Sequence, residues 1–588
     1  MKRPTLIDKH APMNRRLNKS RRIDTFEKKM LSGVILLWIL CFSEIMGQSL
    51  PVNYPLIQDY LRRQQVAGKF PLTHSFQLLP LQAEVIGQAP YKEDSITNLD
   101  FGKALLKDGK NFQFRLLPVQ LSQHFNSSHP YSRNQGPLLP AKGFQHMIEL
   151  GFQASWGPVS LQLYPQFLYA QNLPFEEYDP SLPEIFFIRI SNFVGRLDIP
   201  VKHGRQPIRR TLPGNSHIKV NFGAFAAGVS TENLWWGPGI QQALLISDNA
   251  EGFLHATLHT RKPAKTAIGH FEGQYFMGKL ENSQLPYYSD SSFERFRTYP
   301  DDWRYFTGIT LSYSPKWIKG LSLGVGRTFM MYSRKLEENG WAAWFPIFEG
   351  LQKERVGLET SRFRETDQHF TAFGRWVLPE VKMEIYGEFI RTDHALNWRE
   401  LILNPEHARG YTLGFSKIIP LQENKQVHIN LEMTQTENSI NNLVKYEGSS
   451  FNFNHGGLGL YENFQVVHGL THKGQVIGSG LGHSGNGARV TVSRTNGLDS
   501  WGFSLERLSR DNNFYNFNKA NGLDLLPWVD LSMGAHLDKR LGQLLVSTRI
   551  RLIQSHNYNF GIVESNSIGD FGNKRLNFHS RIKLAYLF

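Results

Sequence analysis

The sequence predicts an all-β transmembrane barrel of antiparallel strands behind a small, partly helical N-terminal region. Three observations point there. The chain opens with an export-type leader. No later segment approaches the ~20 consecutive apolar residues of a membrane-spanning helix. Apolar and polar residues alternate, with the period of an extended strand, up to the last residue. In lipid only helices and closed barrels satisfy every backbone polar group, so a membrane chain without apolar helices must close a barrel. The mean hydropathy of −0.36 agrees, because a barrel shows only alternate residues to lipid.

The leader is assigned to residues 1–47. Residues 1–29 carry ten Lys or Arg against three acids. A mainly apolar run follows from Met30 to Phe42, and Gly47 offers a small residue for cleavage ahead of Gln48. Basic, apolar, then small is the order of a secretory signal. The run is too short to cross ~30 Å of hydrocarbon as a helix. The single cysteine, Cys41, lies inside this leader behind the bulky Leu40. That excludes a disulfide framework and a thiolate metal site from the mature chain, and the bulky Leu40 argues against a lipid-anchored cysteine.

Aromatic residues make up 13% of the 588 residues, and there are 51 glycines. The pairing suits strands joined by tight turns and a barrel with aromatic girdles. The formal charge is +14; residues 1–47, with ten bases and four acids, supply +6 of it. The remaining basicity is spread out and forms no Lys/Arg block, so nucleic acid is not an expected partner. It suits an acidic sugar polymer or lipid headgroups.

The last strand is the clearest. Leu576, Phe578, Ile582, Leu584, Tyr586 and Phe588 fall on one face; Asn577, His579, Arg581 and Lys583 fall on the other. Val381, Met383, Ile385 and Phe389 likewise oppose Lys382, Glu384, Tyr386 and Glu388. Val427, Ile429, Leu431 and Met433 oppose His428, Asn430, Glu432 and Thr434. Gln145–Trp156 and Ser160–Gln171 flank Gly157-Pro158, which reads as a hairpin turn. Long polar stretches, Glu281–Asp302 and Arg510–Gly522, separate other strands. A packed core would not tolerate these charged inner faces, which argues against a soluble sandwich or propeller. At roughly twice ~10 residues per strand, residues 144–588 hold roughly 16–20 strands. Residues 48–143 differ. Ile57, Tyr60 and Leu61 sit near helical spacing, and short helices are predicted at Gln82–Ile86 and Phe101–Lys107.

Three motifs suggest chemistry and fall short. Gly480, Gly482 and Gly485 match a dinucleotide pattern, but Ala488–Arg494 reads as a strand rather than the helix such a site needs. His468 and His472 would sit ~13 Å apart in an extended segment, too far to share one ion. Ser484 beside His483, with His468, is the only foothold for a hydrolase, and no triad completes it. No enzyme activity, cofactor or metal is expected.

Several segments resemble the Wzi-type capsule assembly family: Asn126–Gly143, Pro165–Asn172, Ser247–His255, Pro315–Gly324, Gly410–Gly414 and Val467–Gly478. The most distinctive is Glu232-Asn233-Leu234-Trp235-Trp236-Gly237-Pro238-Gly239. They run in family order over most of the mature chain. Gln166 and Gln135 depart from it, standing where an acid is expected. The resemblance implies a barrel of about 18 strands with a helical plug. It also implies a lectin-like role in anchoring or assembling capsular or exopolysaccharide at the surface. The implied partners are an acidic or neutral surface polysaccharide, outer-membrane lipid and the barrel-insertion machinery. Trp235 and Trp236 offer stacking faces for sugar rings, and Glu232 and Asn233 suit hydroxyl edges. The competing reading makes them a structural turn near an aromatic belt. A diffusion porin for sugars or ions is the alternative function, since it shares barrel and polar lumen.

Overall fold

The computed structural model describes residues 48–52, 54–82, 85, 103–108, 112–179, 182–287, 299–339, 343–346, 366–392, 402, 408–422, 425–438, 459–562 and 573–588. The leader assigned to residues 1–47 lies outside the described residues.

Long antiparallel strands dominate. Gly269–Leu280, Arg304–Pro315, Leu321–Tyr332, Thr366–Leu378, Met383–Thr392, Arg409–Pro420, Gln426–Gln435, Asn486–Asn496, Asp499–Ser509, Val529–Leu541, Leu544–His556 and Lys574–Tyr586 each pair with the next. Phe225–Ser230 and His255–Thr260 precede them in the same sheet. The earlier strands are interrupted. Phe112–Leu116 runs on to Val119–Asn126, Gly143–Glu149 to Phe152–Trp156, Val159–Leu163 to Gln166–Ala170, and Ile208–Leu212 to His217–Phe222. Breaks on neighbouring strands meet: Leu117 N–H donates to the Gly151 carbonyl at 3.0 Å. Gly151 has no substitute there, because a Cβ would lie 1.9 Å from the Leu163 carbonyl oxygen. The final strand, Lys574–Tyr586, pairs with Leu544–His556 on one edge and with Val119–Asn126 on the other, Tyr586 opposite Val119.

The expected alternation appears in the burial. Phe503 and Met533 are 63% and 65% exposed on the outer face, while Glu384 and Glu388 are 1% and 3% exposed on the inner one. On the last strand Leu576, Phe578 and Tyr586 face out, and Asn577 and His579 face in. The Gly157-Pro158 hairpin closes with Trp156 opposite Val159.

The N-terminal helix is Pro55–Val66. Proline suits its first turn because the missing N–H would have no helical acceptor. Ile57, Tyr60 and Leu61 are fully buried. Val66 packs on Val377 and Ile418 of the sheet's inner face. Arg62 Nε reaches Glu384 at 2.9 Å, and Arg375 Nε donates to the same carboxylate at 2.7 Å.

Two expectations need correcting. Phe101–Lys107 holds no helix in its described part: Lys103–Asp108 is a strand on Phe112–Leu116. A helix that short is marginal alone, whereas the adjacent edge supplies hydrogen bonds. The sheet also begins ahead of residue 144, since Phe112–Leu116 and Val119–Asn126 belong to it. Their polar and apolar residues alternate as later strands do. The polar stretch Arg510–Gly522 separates two strands as expected and contains the helix Asn512–Ala520. Of Gln82–Ile86, where a helix is expected, Gln82 pairs as strand with Ser49, Val85 is helical, and residues 83, 84 and 86 lie outside the described residues.

Candidate functional site

The segment after Phe225–Ser230 turns inward instead of leaving the sheet. Leu234, Trp236, Leu244, Ile246 and Phe253 pack with Phe276, Phe306 and Tyr332 from the strands. A second inward loop brings Leu460, Tyr461, Val466 and Leu470 into the same cluster. The two loops are stitched together: the Tyr461 hydroxyl donates to the Leu244 carbonyl at 2.6 Å and accepts from Ser479 N–H at 2.9 Å.

Inner-face carboxylates hold the first loop. Glu432 accepts the backbone N–H groups of Ile240, Gln241 and Gln242 at 2.8, 3.0 and 2.8 Å. Glu388 accepts Leu244 N–H at 3.1 Å. Arg62 of the helix donates to the Pro238 carbonyl at 2.7 Å. Gly237 sits at φ +132°, and a Cβ there would come within 2.5 Å of Glu388 Oε2. A buried loop would otherwise strand its amides, so these carboxylates are what let it occupy the interior.

The four residues singled out from sequence take different places. Trp236 is fully buried, tilted on Phe276 at 5.2 Å, with Nε1–H donating to Gln274 at 2.8 Å. Glu232 is buried and accepts from Lys219 Nζ at 2.6 Å and Ser230 Oγ at 2.9 Å, with His217 Nδ1 at 3.0 Å and Ser49 Oγ also on it. Asn233 Nδ2 donates to Asp248 at 2.7 Å and to the Ala250 carbonyl at 2.8 Å. These three side chains brace the loop. Trp235 differs. It pairs by backbone with Leu79, and its side chain lines a cavity of about 260 Å³ with no described partner for Nε1. Sequence reasoning missed the cavity's other wall, Arg489, Arg549, Arg551 and Arg581, although Arg581 and Lys583 were already assigned to the inner face of the last strand.

A second cavity, of about 630 Å³, opens among the long loops. Trp303, Arg210, Lys279, Glu281 and Lys473 line it. Its charges are matched: Arg210 pairs with Glu251 at 2.5 Å, and Lys279 and Lys473 reach Glu281 at 2.9 and 3.2 Å. His468 and His472 serve different partners, the Tyr332 hydroxyl at 2.9 Å and Glu281 N–H at 3.1 Å. Ser484 Oγ is buried without a described partner, while His483 lies 3.6 Å from Glu462.

The sequence model of the family described as capsule assembly protein Wzi matches residues 141–512, more than half of the chain. The chain belongs to that family. Among solved structures it is similar to Wzi of Escherichia coli, described as an outer membrane protein involved in group 1 capsule assembly and a carbohydrate-binding β-barrel. That alignment covers 92% of this chain and 100% of the other, at 13% identity and a TM-score of 0.55. A BenF-like porin from Pseudomonas fluorescens aligns over 81% of this chain and 98% of its own, at 10% identity and a TM-score of 0.37. Pseudomonas aeruginosa OprD gives 82% and 96%, at 8% identity and a TM-score of 0.37. Among curated sequences none matches. The E. coli likeness is one of fold: an all-β, antiparallel barrel architecture.

Proposed function

We propose that this chain is an outer-membrane barrel that binds capsular or related surface polysaccharide and holds it at the cell surface. Membership in the capsule assembly family is the observation that carries this reading. The barrel is read as eighteen strands, counting each interrupted pair as one and closing Lys574–Tyr586 on Val119–Asn126; the pairing of Tyr586 with Val119 supports the closure. Dimensions support membrane insertion. A 13-residue strand such as Leu544–His556 is ~44 Å long at ~3.4 Å per residue, and tilted by ~45° it rises ~30 Å, the depth of the hydrocarbon core. No described helix is long and apolar enough to cross a membrane.

In this reading Pro55–Val66 is the plug at the end of the short turns, which is periplasmic, and the long loops face outward. Export uses the cleaved leader. The interior speaks against a diffusion channel, because helix and inward loops fill it from both ends. Trp235 is the glycan-facing member of the four sequence-predicted residues, and Glu232, Asn233 and Trp236 position it. The partners are an acidic or neutral polysaccharide and outer-membrane lipid. The test is polymer partition. Cells lacking the protein should release surface polymer to the medium at constant total. Unchanged cell-bound polymer contradicts the reading.

A further inference from the structure

The cavity beside Trp235 has an unbalanced charge. Seven Lys or Arg side chains line it against three Asp. Some of these cations have partners: Arg549 forks onto Asp538 at 2.7 and 2.8 Å, and Arg133 and Arg551 share Glu506. Two do not. Glu506 lies opposite Arg489 in register but is paired with Arg133 and Arg551 instead. Arg489 is left with the neutral Gln241 at 2.7 Å and Ser504 Oγ at 3.5 Å, and no described carboxylate lies within ion-pair distance of it. Arg581 has no hydrogen-bond partner among the described residues. It also stands directly across from Arg549 on the neighbouring strand.

Like charges directly opposite one another destabilise a sheet. Enclosed cations without a direct ion pair cost more still, since the lumen screens them less than bulk water does. An anion in the cavity would relieve both terms. The enclosure fits a small, flat, polar ligand. Its volume falls just under the ~300–1,000 Å³ of drug-sized pockets, which suits one sugar ring rather than a chain. Trp235 supplies an aromatic wall, and the guanidinium groups supply the planar forks that match a carboxylate.

We infer that this internal cavity binds one carboxylate-bearing sugar residue, its carboxylate held by Arg489 and Arg581 and its ring against Trp235. The choice of a sugar rests on the polysaccharide reading; the need for an anion does not. The site would give the protein a preference for acidic over neutral sugars.

The test is calorimetric titration of the full-length folded protein in detergent with sodium glucuronate, methyl glucoside and sodium sulfate. Glucuronate should bind, methyl glucoside should not, and sulfate should bind more weakly. Arg489→Gln with Arg581→Gln should weaken glucuronate roughly tenfold or more. Arg489→Lys with Arg581→Lys keeps the charge without the fork and should fall between. Heat-modifiable migration on a gel checks that each variant is folded. No glucuronate binding by the folded parent, or equal binding by the Gln variant, overturns the site. Sulfate binding as tight as glucuronate overturns the sugar assignment. If cells lacking the protein keep their polymer, yet glucuronate binds with this dependence, the site stands and the proposed function alone fails.

Discussion

Lys219 and Glu232 meet inside the sheet, Nζ to carboxylate at 2.6 Å, with each side chain only 3% exposed. His217 Nδ1 adds a second contact to the same carboxylate at 3.0 Å. Burial raises the cost of the Glu232 charge, but His217 and Lys219 outweigh it and hold its carboxyl well below the usual carboxylate range. The pair fixes the start of the loop that carries both tryptophans.

Glu232→Gln should destabilise the barrel by about 3–5 kcal/mol, because it leaves Lys219 buried and uncompensated. The readout is the midpoint of heat-modifiable migration. The sign with pH follows from the depressed folded value. The stabilisation is complete above the ordinary value of 4.5 and disappears as pH falls through the lower folded one. The gap between parent and variant should thus be full at pH 7 and close in acid. A gap independent of pH would contradict the ion-pair role.

The two tryptophans should separate. Trp236→Ala removes a fully buried ring and should cost about 3–5 kcal/mol. Trp235→Ala should leave the barrel folded and abundant while cell-bound polymer falls. Equal loss of stability in both variants would return Trp235 to a purely structural role.

Gly237→Ala should loosen the inward loop, since its Cβ collides with the Glu388 carboxylate that caps Leu244. In a planar bilayer the parent should stay closed and the variant should leak. A parent with steady open conductance would favour the porin alternative.

Mass spectrometry of the outer-membrane fraction should find a mature N-terminus near Gln48. A retained leader there would overturn the export assignment.

Alternation made the sheet legible. Phe578 outside and His579 inside follow from a period of two, which survives any loop length. The helix around Ile57, Tyr60 and Leu61 was legible for the same kind of reason. Lys103–Asp108 was not, because a short segment takes the structure of the edge it meets. The candidate site was half legible. Trp235 and Trp236 are adjacent and chemically identical and both are buried, so nothing in the sequence tells which of them also lines the cavity. Arg489, Arg549 and Arg581 lie on three strands well separated in sequence, and it is the strand-to-strand register that brings them to one wall.

The most direct test of the central claim is a binding measurement. Purified, folded protein is immobilised and exposed to surface polysaccharide from its own cells, with sugar analysis of what is retained. The account predicts saturable retention of that polymer, weakened in Trp235→Ala and unaffected by an unrelated neutral glucan. No retention by the folded parent would contradict it.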